Sequence, residues 1–147
     1  MKLSTKARYG TRAMLELAIN YGRSPLSVKD IARSQEISEK YLEHLLALLK
    51  TAGLVKSLRG ARGGYVLAKP PAEIRLNQII YVLEGSLAPV DCVDNSALCN
   101  RSKFCATRDV WNLIKHSIDQ VLYSITLEDL VRRQVSKSEH KSYFYSI

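Results

Sequence analysis

Residues 27–67 constrain this chain more than any other stretch, because two short apolar repeats of helical period are followed there by two β-type runs around a basic, glycine-rich turn. Ser27, with Asp30 three residues on, is a serine cap with a carboxylate in the first turn, where backbone N–H groups lack partners. Val28, Ile31 and Ala32 then share one face. A turn at Gln35-Glu36-Ile37 leads to a second helix capped by Ser38. Its Leu42, Leu45, Leu46 and Leu49 repeat at i, i+3, i+4 and i+7, and Gly53 is placed to end it. Leu54-Val55-Lys56-Ser57-Leu58 and Tyr65-Val66-Leu67 flank Arg59-Gly60-Ala61-Arg62-Gly63-Gly64, which predicts a hairpin. Two helices and a basic hairpin in this order make the pattern of a winged helix-turn-helix.

The pattern assigns roles. At ~100° per residue, Lys40, Tyr41, His44 and Ala47 point away from the leucine stripe, with Ser38, Glu39 and Glu43 near the N-terminal tip. These are the groups that would enter a DNA major groove. Arg59 and Arg62 sit at the hairpin tip among glycines that would let the backbone approach phosphate, and a narrow minor groove attracts arginine. The plain alternative is a solvated loop. The formal charge of +8 supports the first reading. Residues 1–69 hold thirteen Lys and Arg against five Asp and Glu, whereas residues 70–147 hold nine of each. The excess therefore coincides with the helix-turn-helix and points to double-stranded DNA as partner.

In chain order, Met14, Leu17, Ala18 and Tyr21 predict a first helix over residues 4–21, stopped by Gly22. Lys2, Lys6, Arg8 and Arg12 cluster at its start, where a free helix prefers carboxylates. That placement suits phosphate contact, with Lys6 in the DNA-binding set; a solvated basic end is the alternative. Lys69-Pro70-Pro71 breaks the chain after the hairpin. Leu76, Ile79, Ile80 and Leu83 then predict a short helix closed by Gly85, packing back on the winged unit. No apolar run of about 18 residues and no signal-peptide core follow the start, so the expectation is a soluble cytoplasmic protein without membrane association.

Residues 86–106 lack periodicity and hold all three cysteines, Cys92, Cys99 and Cys105, spaced C-x6-C-x5-C. An odd number in a cytosolic chain argues against a disulfide framework. Burial as small hydrophobes is one outcome. Polar neighbours such as Asp91, Asp94, Asn95, Asn100, Arg101 and Lys103 favour another, three thiolates holding a soft metal centre. Zinc sites use closer pairs and a fourth ligand, whereas wider spacing suits a cluster whose sulfides complete each iron's coordination. An iron–sulfur cluster is favoured over zinc.

Beyond it, Val110, Ile114, Ile118, Val121 and Ile125, joined by Trp111 and Leu122, predict a long amphipathic helix. A two-fold, coiled-coil-like contact would bury so broad a stripe and make a homodimer; covering its own winged domain is the alternative. Thr126-Leu127-Glu128-Asp129 starts a short helix with a capping box. The remainder is polar apart from Tyr143, Phe144, Tyr145 and Ile147, a tail that is either mobile or docked by its aromatics. The fold class is thus mainly α with a small β-hairpin: a winged helix-turn-helix plus a long dimerisation helix. Residues 1–69 form the DNA-binding domain, residues 70–106 the short helix and cysteine-bearing loop, and residues 107–147 the dimerisation helix and tail. His44, His116 and His140 fall in three separate elements, so no nucleophile–base–orienter set emerges and an enzyme is disfavoured.

These residues resemble the family of winged-helix iron–sulfur transcription regulators that includes IscR, NsrR and RirA. The likeness rests on Met1-Lys2-Leu3-Ser4-Thr5-Lys6-Ala7-Arg8-Tyr9, Ile37-Ser38, Tyr41-Leu42-Glu43, Gly53-Leu54-Val55, Arg59-Gly60 and Gly63-Gly64-Tyr65, with the three cysteines where the family binds its cluster. Thr126-Leu127-Glu128-Asp129-Leu130 and the final aromatics are similar to the family's cysteine-metabolism repressors, which lack the cysteine triplet. The resemblance implies a homodimeric repressor crossing its long helices over a two-fold operator. Ser38, Tyr41 and Glu43 would face bases or phosphates, and Arg59 would enter the minor groove. Glu43 can accept from cytosine N4 and so disfavour a mismatched site. Lys40 replaces a small residue, which leaves base preference open.

The cluster implied is [4Fe–4S] in preference to [2Fe–2S], sensing iron, cluster supply, redox state or nitric oxide. Family members complete its coordination with a histidine three residues after the last cysteine, or with an acidic residue early in the partner's first helix. Arg108 and Arg8 hold those positions here, and neither suits iron. The fourth ligand is left among Asp91, Asp94, Asp109, another residue, solvent or a small thiol. The tail implies the alternative, a regulator of sulfur or cysteine metabolism controlled by thiol redox state or a partner enzyme.

Overall fold

A computed structural model describes the backbone of residues 2–146 and the side chains of residues 2–140. Three helices, α1 (Thr5–Ile19), α2 (Val28–Gln35) and α3 (Glu39–Thr51), precede an antiparallel hairpin of β1 (Val55–Leu58) and β2 (Gly64–Leu67). Four helices follow: α4 (Leu76–Glu84), the single turn α5 (Asp91–Asp94), α6 (Ala106–Ser124) and α7 (Leu127–Ser146). The fold is mainly helical with one small hairpin.

Serine starts each of the first three helices for one reason: its hydroxyl takes a backbone N–H that the first turn leaves unpaired. Ser4, Ser27 and Ser38 accept from Ala7, Asp30 and Tyr41 at 3.1, 3.1 and 3.2 Å. Strand register pairs Val55 with Leu67 and Leu58 with Gly64, so Arg59 and Arg62 lie in the connecting tip. The leucine stripe of α3 is wholly buried with Met14, Ile31, Ile74 and Ile79. As the spacing of its apolar residues predicts, α4 packs on the winged unit, against α1 and α3. Its crossing with α1 is close enough to need Gly10, where a Cβ would stand 2.2 Å from Leu83 Cδ1.

The C-terminal region departs from expectation in three places. Ile125 is not part of the α6 stripe. It is extended, and its carbonyl accepts the Leu76 N–H at 2.9 Å, while the Leu127 N–H reaches the Ile74 carbonyl at 2.9 Å. This stitch ends α6 and starts α7. The helix after Thr126 is not short, for α7 runs 20 residues to Ser146. Its first turns are held by buried Leu127, with Leu130 and Val131 against the core. Beyond them Arg, Gln, Lys and Glu are good helix formers that need no apolar face. The aromatics Tyr143, Phe144 and Tyr145, with Ile147, lie outside the residues whose side chains are described. Finally, residues 86–106 contain α5 and a 3₁₀ turn at Ser96–Leu98, elements too short to leave a periodic signal.

Candidate nucleic-acid interface and cysteine loop

On α3, Ser38, Lys40, Glu43 and His44 are exposed along one side of the helix and its tip. Tyr41 differs from its predicted outward placement. It is half-buried against the core, its ring edge-on to Tyr9 with centroids 6.2 Å apart. The first turn of α3 lies beside α1, and an aromatic there gains more from packing than from water. Lys6 is half-buried on α1, whereas Lys2 and Arg8 are exposed.

Arg12, expected among phosphate contacts, turns instead toward the helix-turn-helix. Its Nε donates to Gln35 Oε1 at 2.9 Å, and a terminal guanidinium nitrogen donates to the Gln35 carbonyl. Glu16, one turn further along α1, accepts from Ser34 Oγ at 2.6 Å and Gln35 Nε2 at 2.9 Å. Glu36, next in the chain, is the single non-glycine residue with positive φ among the described residues, at φ 55°.

In the wing, Arg59 and Arg62 are exposed at the tip, where Gly63 N–H donates to the Gly60 carbonyl at 3.0 Å. Two of the tip glycines serve the protein's own backbone. A Cβ on Gly63 would stand 2.2 Å from the Leu58 carbonyl oxygen, and one on Gly64 2.3 Å from that of Leu26. The second approach belongs to a pairing that no sequence signal announced. Leu26 exchanges backbone hydrogen bonds with Tyr65 at 3.1 and 2.7 Å, fastening the wing to the residue before the Ser27 cap. A one-residue bridge between segments 39 positions apart leaves no local pattern.

The cysteine loop leaves the body at Gly85 and returns at α6. Two links hold it to α6: Asp94 pairs with Lys115 at 3.0 Å, and Arg108 Nε donates to the Cys92 carbonyl at 3.0 Å. The Ser86 hydroxyl and Lys115 hold the Asp94 carboxyl below its ordinary range. Cys92, Cys99 and Cys105 are free thiols, each half-buried. The Thr107 hydroxyl, 3.1 Å from Cys105 Sγ, and the Arg108 backbone N–H lower that thiol's pKa. Three sulfur donors in one polar loop suit a soft metal centre by type. They are not drawn together, however: among the described residues no three His, Cys, Asp or Glu side chains are grouped to hold a metal ion. The grouping of thiols expected from their spacing is thus not present in this conformation.

The apolar residues of α6 divide between two sides. Trp111, Ile114, Ile118 and Leu122 are half-buried, and the helix packs on α4. Val110, Leu113 and Val121 stay uncovered, Leu113 at 66% exposure, and no residue of α6 is fully buried. No helix of the described residues is long and apolar enough to cross a membrane.

The exposed reading helix and basic wing on one body find their counterpart in known proteins. A family model for Rrf2, described as an iron-dependent transcriptional regulator, matches residues 3–133. The chain belongs to the Rrf2 family. It is a transcription regulator and not an enzyme. Among Rrf2 relatives, CymR of Bacillus subtilis is 44% identical over 147 residues, the full length of both chains. The solved structure of that CymR, a global cysteine regulator, matches with a TM-score of 0.77 and 45% identity over 90% of this chain and 98% of that one. The structure of IscR from T. potens matches with a TM-score of 0.76 and 48% identity over 91% and 88%.

Proposed function

We propose that this Rrf2-family regulator is a cytoplasmic homodimeric repressor of a two-fold operator, whose affinity is set by an iron–sulfur cluster on Cys92, Cys99 and Cys105. The carrying observation is the α3 surface with Lys40, Glu43 and His44 exposed beside a wing tip bearing Arg59 and Arg62. On DNA, α3 occupies the major groove, Arg59 and Arg62 the minor groove, and Lys6 the flanking phosphates, with Ser38 and Tyr41 at the helix tip. The uncovered Val110, Leu113 and Val121 of α6 supply the dimer contact.

The three thiols have the donor type for the cluster, [4Fe–4S] ahead of [2Fe–2S]. Arg108 bonds the Cys92 carbonyl and Asp94 pairs with Lys115, and the fourth position falls to Asp91, Asp94, Asp109, another residue or an outside ligand. Once bound, the cluster brings redox sensitivity and a fixed loop. Because the loop is tied to α6, its order biases the spacing of the two reading helices, which must match about 34 Å or a multiple of it. Operator binding by cluster-loaded, cluster-degraded and never-loaded protein tests this. Equal affinity of all three forms rejects control by the cluster.

A second reading has its own support: control by thiol state or a partner enzyme in cysteine metabolism. The full-length 44% identity to CymR, including the C-terminal segment, favours it. Anaerobic purification separates the two, since a brown protein supports the cluster and a colourless one supports the thiol switch.

A further inference from the structure

Arg12 is exposed, yet it is the arginine of the basic first helix whose guanidinium is bonded to another element of the protein. Its fork grips Gln35 at both the side-chain and main-chain oxygens. Gln35 is the last residue of α2, where carbonyls lack intrahelical partners and a cation is favoured. Glu16 completes the grip from one turn away, taking the Gln35 amide and the Ser34 hydroxyl. The guanidinium also lies 5.3 Å from the centre of the Tyr9 ring, and Tyr9 meets Tyr41 of α3 edge-on. Two side chains of α1, Arg12 and Tyr9, thereby connect the end of α2 with the start of α3.

Between those two points the chain turns on Glu36, at φ 55° and ψ 46°. A left-handed conformation disfavours any residue with a Cβ and persists where surrounding contacts over-determine it. The bonds that over-determine it here are the Glu36 and Ile37 N–H groups on the Ala32 carbonyl, and the α1 side chains on Ser34 and Gln35. This turn sets the angle between α2 and α3, and so the aim of Lys40, Glu43 and His44.

We infer that Arg12, with Glu16, is a positioning residue for sequence readout: it braces the helix-turn-helix turn from behind and touches no DNA. The inference rests on the DNA-binding reading and adds to it. A brace of this kind acts on specific binding alone. Non-specific attraction to phosphate depends on how many cations face the duplex, which the brace leaves unchanged.

The probe is a duplex enriched by the wild-type full-length chain from a random-sequence pool, compared with a scrambled duplex of equal composition. Enrichment of no sequence would reject the DNA-binding reading and the brace together. Given an enriched duplex, Arg12→Ala is expected to weaken its binding about tenfold, the scale of a single bidentate base interaction. Binding to the scrambled duplex should change less than about twofold, and the slope of log affinity against log salt should stay at the wild-type value. Arg12→Lys should not restore binding, because an ammonium lacks the planar fork. Gln35→Ala should weaken binding to the same degree, and the double variant should be no worse than either single one. A reduced salt slope would identify Arg12 as a phosphate ligand and overturn the brace. So would equal weakening on both duplexes, additive effects in the double variant, or no effect at all. Thermal unfolding of each variant, read alongside, separates mis-aiming from a general loss of fold.

Discussion

Single residues here are constrained by backbone approach as much as by chemistry. Gly64 suggests by composition a flexible, phosphate-facing tip, yet its Cβ position is occupied by the Leu26 carbonyl oxygen at 2.3 Å. Backbone cannot be displaced as cheaply as a side-chain end, so Gly64→Ala should lower stability by about 1–3 kcal/mol, read as a reduced Tm. It should also loosen the wing, raising hydrogen exchange at Leu26 and Tyr65. Unchanged exchange there would mean the bridge does not hold the wing. Arg59 and Arg62 are the opposite case, exposed and without structural duty in the described hydrogen bonds and ion pairs. Arg62→Ala should leave Tm unchanged, weaken binding on every sequence, and reduce the salt slope by about 0.9 for each phosphate that Arg62 neutralises. An unaltered slope would place Arg62 off the DNA. Residue identity told which groups can meet DNA; only tertiary packing told that Arg12 bonds Gln35 and that Tyr41 packs partly against Tyr9.

At the scale of elements, the starts of helices were the most legible features. Ser27 and Ser38 cap as their spacing predicts, because a cap is satisfied within four residues of sequence, and Ser4, read as the first residue of its helix, is the cap of α1. The box at Thr126 and Asp129 forms as well, each side chain accepting the other's backbone N–H, at 3.1 and 2.9 Å. Hydrogen bonding of the carboxylate by the Thr126 backbone N–H, and then by the Thr126 hydroxyl, holds the Asp129 carboxyl below its ordinary range. A depressed folded-state value means that Asp129 contributes stability above the unfolded value, about pH 4, and that the contribution is lost as pH falls through the folded value. Thermal unfolding followed from pH 6 to pH 2 should therefore decline less steeply for Asp129→Asn than for wild type at the acid end. Parallel curves would show that the box has no part in acid sensitivity. The length of α7 was illegible for the converse reason. A solvated helix of good helix formers carries no apolar period, so nothing in residues 132–140 distinguishes it from a polar tail.

For the whole molecule, the decisive surface is α6. Its sequence offers a single broad stripe, and the fold packs part of it toward α4 and leaves Val110 and Val121 uncovered, joined by Leu113 from outside the stripe. Leu113→Glu should leave the fold intact, since the side chain is 66% exposed, and should convert the proposed homodimer to a monomer in sedimentation. Operator affinity should then fall about 100-fold or more, because the two half-sites no longer bind as a linked pair. A Leu113→Glu protein that remains dimeric would move the interface elsewhere. The same helix anchors the cysteine loop through Lys115 and Arg108, which places the loop and the uncovered face on one element.

By itself the amino-acid order determined the winged helix-turn-helix, its caps, its buried leucines and the location of its charge, all properties written within one helical turn or one hairpin. Tertiary structure alone decided the Leu26–Tyr65 bridge, the stitch between Ile125 and Leu76, the grip of Arg12 on Gln35 and the lack, among the described residues, of a grouped thiol set. Each of these depends on which distant segments meet. That is settled by the packing of helices around the shared core, and no local pattern in the chain encodes it.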